Sequence, residues 1–160
     1  MTMLALAATG WSGSAAAVDI VHESLVSTDG WAQNSLNATS FRQSSVTSHD
    51  GWQFIGFVDG DERVVLGKRQ LGTDTWQLHV TQYTVDATDA HNSVNIGIDG
   101  NGYLHVIING HHNPFTYAKA VNTYSTAAWC TAIIITNKTA QGNKKPIRST
   151  CPKGASCRNP

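Results

Sequence analysis

The last forty of the 160 residues contain no aspartate, no glutamate and no histidine. Charge is scarce throughout: Asp, Glu, Lys and Arg make up 14% of the chain, against about 25% in an ordinary soluble domain. The net charge is zero, so no basic field draws nucleic acid, and none is expected as a partner. No apolar run is long enough to span a bilayer, and no membrane partner is expected either. No segment has the periodicity of an amphipathic helix. The three cysteines, Cys130, Cys151 and Cys157, are an odd number and close no disulfide framework. Cys151 and Cys157 can pair. A metal site built on the tail would want a fourth ligand that the tail does not supply.

What is present is unevenly divided. Residues 1–120 hold all eleven acids but five of the eleven bases, a net −6. Residues 121–160 hold six bases and all three cysteines, a net +6. This break separates a basic tail, 121–160, from a body, 18–120. Ahead of the body, Met3 to Ala8 followed by Ala15-Ala16-Ala17 has the outline of a secretion signal over 1–17, although no Lys or Arg precedes it. The expectation is a secreted or extracellular protein. Asn37-Ala-Thr39 and Asn137-Lys-Thr139 fit the glycosylation sequon.

The body reads as short strands punctuated by turns. Strands are expected near 41–48, 52–58, 63–69, 76–81, 94–98 and 103–108. Trp52 to Val58 is rich in aromatic and β-branched residues, and His49-Asp50-Gly51 and Asp59-Gly60-Asp61 are turns on either side of it. Four such strands make one antiparallel sheet of the propeller-blade kind. Shifting the chain by 51 residues pairs Gly51 with Gly102, Trp52 with Tyr103, Ile55 with Val106, Phe57 with Ile108 and Lys68 with Lys119. A period near 50 is a blade period. The fold class is therefore all-β: an incomplete β-propeller of about two four-stranded antiparallel blades with an irregular C-terminal tail. Propellers close with about 4–8 blades, and residues 125–160 are expected to complete none.

Four of the seven histidines, His91, His105, His111 and His112, fall between Asp89 and Tyr117. Val94 to Ile98 and Tyr103 to Ile108 read as a hairpin around Asp99-Gly100-Asn101-Gly102. His91 and His111 flank its outer ends and should meet at the end opposite that turn, with Asn92 and Asn113 beside them. His105 alternates with apolar neighbours and reads as a satisfied sheet residue, and His112 as solvent-facing. Zinc from Asp89, His91, His105 and His111 has suitable donors but no compact ligand spacing, so no metal is expected. Trp52, Trp76 and Tyr103 read as blade core rather than sugar platforms, and Arg63, Lys68 and Arg69 as a solvated strand face.

The runs Gly51-Trp52-Gln53-Phe54, Arg63 to Gly72, Asp89-Ala90-His91-Asn92-Ser93, Gly102-Tyr103-Leu104-His105 and His111-His112-Asn113-Pro114, in that order, resemble the BNR-repeat-containing propeller family, which includes ulvan-lyase-like polysaccharide lyases. The resemblance covers about residues 20–120. It implies β-elimination at a uronic acid in an acidic polysaccharide, without a cofactor. On it, His91 and His111 match the two catalytic histidines, His91 as the better candidate for proton transfer. His111 also suits charge stabilisation, and Asn92 and Asn113 suit substrate binding. The family also uses a tyrosine and an arginine from later blades, so the chain alone is expected to turn over little or no substrate. The alternatives are a non-catalytic carbohydrate-binding or structural propeller fragment and, more weakly, a sialidase-like hydrolase. Gly72-Thr73-Asp74-Thr75-Trp76 is loosely similar to the aspartate box of sialidase-type propellers, where it is a structural turn.

Overall fold

A computed structural model describes residues 22–38, 44–111, 114–134 and 148–150. It is all-β, in two antiparallel sheets. The first has the order β1 (Val46–His49), β2 (Trp52–Val58), β3 (Arg63–Gln70) and β4 (Gln77–Thr84). The second has the order β5 (Val94–Ile98), β6 (Leu104–Ile108), β7 (Phe115–Ala120), β8 (Trp129–Ile134) and β9 (Arg148–Thr150). The helical content among the described residues is one 3₁₀ turn, Ser35–Asn37. Among these residues no helix is long and apolar enough to cross a membrane.

Each sheet is a meander in sequence order, the connectivity of a propeller blade. The strand bounds follow the turn chemistry. Asp50 and Gly51 both take positive φ, 46° and 78°, and this closes β1 onto β2 with His49 opposite Trp52. Asp59 and Asp99 close the β2–β3 and β5–β6 hairpins in the same manner. Each accepts backbone N–H bonds on Oδ1 from the residues two and four positions on: Asp61 and Arg63 for the first, Asn101 and Tyr103 for the second.

The core lies between the sheets. Phe54, Val58, Val64 and Leu66 of the first sheet meet Val94, Ile96, Leu104, Val106, Ile108 and Ala118 of the second. Phe54 is fully buried, and burial of such a side chain is worth about 1.5–3 kcal/mol. At Gly56 the sheets pack closely: a Cβ there would lie 2.9 Å from Ile96 and 3.0 Å from Val94. The segment before β1 seals the end of this core. Leu36 is buried, and the Asn37 amide both donates to the Val58 carbonyl and accepts from the Val58 N–H. Asn37 therefore matches a sequon while its amide is committed to holding β2.

Two expectations need correction. Residues beyond 125 were expected to complete no blade, yet β8 pairs with β7 in register from Ala120 opposite Trp129 to Phe115 opposite Ile134. It is the fourth strand of the second blade, and Trp129 joins the core. Lys68 and Arg69 are not simply a solvated face. Lys68 lies 4.9 Å above the Trp52 ring and Arg69 lies 4.7 Å above that of Trp76, positions where a cation gains from the ring's negative face. Arg63 instead pairs with Asp59 and Asp61. Cys130 is disulfide-bonded, and the Cys151–Cys157 pairing lies outside the described residues.

Candidate functional site

Three connections meet at one end of the blades: the β2–β3 turn, the β4–β5 loop and the β6–β7 loop. The second and third carry the histidines. Asn109 and Gly110 turn the chain out of β6 with φ of 66° and 126°. Only glycine fits at 110, because a Cβ there would lie 2.3 Å from the Phe115 ring. The Asn109 N–H bonds the Ser93 carbonyl and ties this loop to the start of β5.

That tie brings His91 and His111 together, with ring centroids 4.4 Å apart and planes inclined by 40°. Asp89 sits between them. Its Oδ1 is 2.8 Å from His91 Nδ1, and its Oδ2 is 2.5 Å from His111 Nδ1. The His91 backbone N–H also bonds Oδ1. The bond to His111, then the two bonds to His91, hold the Asp89 carboxyl well below the usual carboxylate range. An ionised carboxylate can only accept. Both Nδ1 atoms are therefore the donors, and in its neutral form either imidazole would carry its lone pair on Nε2.

Asn92 has a different task from the substrate contact expected of it. It is 1% exposed. Its Oδ1 accepts the His111 backbone N–H and its Nδ2 donates to the Asp86 carbonyl. It joins the two loops from beneath and positions His111. Asn113 and His112 lie outside the described residues. Sequence reasoning placed Asp89 only in a metal set; the structure makes it the hub of the site. Its signal was the Asp-x-His spacing, in which a turn aspartate caps the N–H two residues on and meets the same residue's ring.

At the other end of the second sheet, His105 is satisfied, as its alternation with apolar neighbours suggests. Its Nδ1 is 2.7 Å from Tyr117 Oη and its Nε2 is 3.1 Å from Asp99 Oδ2. Lys119 reaches the same Oδ2 at 3.4 Å and lies 4.6 Å above the Tyr103 ring. Burial and the Asp99 charge both push the Tyr117 phenol up, so it keeps its proton and donates it to His105.

The model of a family described as BNR repeat-containing matches residues 52–153, well over half of the chain and from β2 through β9. The chain belongs to the BNR repeat-containing family. The match continues beyond residue 120, about where the resemblance read from the sequence ended, and it covers β8, which completes the second blade. No curated protein matches the chain.

Proposed function

We propose that this BNR-repeat chain recognises a uronate-containing acidic polysaccharide at the Asp89–His91–His111 site, and that the chemistry of the site is β-elimination. The observation that carries the reading is one carboxylate shared by two imidazoles 4.4 Å apart, on strand-end loops. In such an elimination a base takes the proton α to the uronate carboxylate. The C–O bond β to that carboxylate breaks, its electron pair leaves on the oxygen, and a C=C bond forms. The leaving oxygen then takes a proton. His91 is assigned the base role: Asp89 fixes its Nδ1–H, so the lone pair that accepts the proton is on Nε2. His111, held by Asn92 and Asp89, is assigned to the carboxylate in its protonated form, whose Nε2–H donates to the uronate and offsets the charge that develops as the proton leaves.

The test pairs binding with chemistry. Native gels cast with a uronate-rich polysaccharide, or with the same polymer after carboxyl reduction, should retard the protein only in the first. Equal mobility in both would remove the reading. In a family member that carries this pair together with the later blades, absorbance of the unsaturated product, lost in His91→Ala, would assign the elimination. Selective retardation without product leaves the site as a carbohydrate-binding one, which is the competing reading.

A further inference from the structure

The expectation of no metal rested on the lack of a compact ligand spacing along the sequence. In three dimensions the spacing is compact. One carboxylate oxygen of Asp89 and one ring nitrogen from each of His91 and His111 lie within 4.8 Å of one another. We propose that these three residues form a binding site for a borderline divalent transition ion, of which zinc and cobalt are the probes. The inference stands on this geometry and not on the lyase reading.

Two imidazoles and a carboxylate are a donor set that zinc uses, with bonds of about 2.0–2.2 Å. In a tetrahedral shell of that size, ligand atoms sit about 3.4 Å apart. Whichever Asp89 oxygen ligates, its own imidazole contact, 2.8 Å from Oδ1 to His91 Nδ1 or 2.5 Å from Oδ2 to His111 Nδ1, would have to open by less than about 1 Å. No pair would have to close by more than about 1.4 Å. His91 is an exposed side chain on a loop, so a shift of that size does not disturb the core. The remaining parts are in place. Asn92, buried beneath, fixes the backbone that presents His111, the kind of outer support that ligating residues need. Coordination through Nδ1 moves that nitrogen's proton to Nε2, so each imidazole stays neutral and the N–H···O bonds give way to metal bonds. Three protein ligands leave a fourth position for water or an anionic oxygen.

The competing location is thiolate sulfur; Cys130 is disulfide-bonded, so any thiolate would have to come from the other two cysteines. The experiment is calorimetric titration of the untagged chain with Zn²⁺, alongside visible absorption with Co²⁺. The expected result is one ion per chain, with a cobalt spectrum free of thiolate charge transfer. His91→Ala and His111→Ala should each weaken binding by at least about 100-fold, because even outer-shell partners are worth about 10–100-fold. His105→Ala, which alters a histidine at the other end of the blade, should bind as the parent does. Circular dichroism of each variant confirms that the sheets persist. Absence of saturable binding, undiminished affinity in both histidine variants, or a cobalt–thiolate spectrum would each overturn the proposal. Turnover is not read, so failure of metal binding removes only this proposal, and failure of the gel retardation removes only the uronate reading.

Discussion

The second blade carries an aspartate–histidine pair at each end, and the two are built differently. Asp99 closes its own hairpin. Two backbone N–H groups fill Oδ1, and His105 and Lys119 share Oδ2. His105 is used on both nitrogens, and the chain of donors runs from the Tyr117 hydroxyl to His105 to Asp99. The carboxyl is held at about 2: burial alone would raise it, but the Tyr103 N–H, His105, the Asn101 N–H and Lys119 outweigh that. Asp89 takes one backbone N–H and gives its remaining capacity to two imidazoles on separate loops. Those imidazoles are 58% and 41% exposed, against 28% for His105. One network closes on itself and stabilises a turn. The other presents two rings of fixed tautomer to solvent. The same residue types make structure at one end and a candidate site at the other, and what separates them is exposure and the joining of two loops by one carboxylate.

The largest effect should come from breaking the exposed end. In a family member that carries this pair together with the later blades, His91→Ala should cut elimination about 10²–10⁴-fold, the usual worth of a positioned proton-transfer group. Product absorbance measures this. Its unfolding free energy should move by no more than about 0.5 kcal/mol, as for other exposed substitutions. The closed end should behave in the opposite way. Asp99→Ala leaves two turn N–H groups, His105 and Lys119 without their acceptor, and urea unfolding should show a loss of about 1–3 kcal/mol. Uronate retardation in gels should be unchanged. A variant that lost binding and kept stability would erase the distinction.

Acid unfolding sharpens it further. The Asp99 pKa is depressed from 3.8 to about 2 on folding. Its contribution to stability is therefore fully present above about pH 4, the unfolded value. It is lost as pH falls from there toward 2, because the unfolded state then binds the proton more readily. Asp99→Asn should flatten the stability curve in that window and leave it unchanged near neutrality in slope. Tyr117→Phe should have the smallest effect, about 0.5–1.5 kcal/mol, because it removes one hydrogen bond and keeps the ring.

Much of the fold was legible. Trp52–Val58 and Val94–Ile98 have the bounds expected of them, because Gly51, Asp59 and Asp99 set the turns and β-branched residues fill the strands between. The 51-residue period carried more than was read from it. Moving β3 and β4 by 51 places strands at 114–121 and 128–135, where β7 and β8 are found at Phe115–Ala120 and Trp129–Ile134. The change of charge at residue 121 hid β8, since net charge speaks of solubility and partners rather than of strand pairing. The meeting of His91 and His111 followed from hairpin geometry. The burial of Asn92 did not. It arises because the β4–β5 loop folds over the β6–β7 loop, a tertiary contact that no local pattern encodes.

The most direct test is the tautomer of each imidazole. Long-range ¹H–¹⁵N correlation spectra, recorded with a chelator present and at a pH where the rings are neutral, distinguish Nδ1–H from Nε2–H. The shared carboxylate requires Nδ1–H in both His91 and His111, and this should be lost in Asp89→Asn. His105 is the internal control, since its bonds to Tyr117 and Asp99 require Nε2–H. Finding Nε2–H in all three rings would contradict the account, because Asp89 would then hold neither histidine.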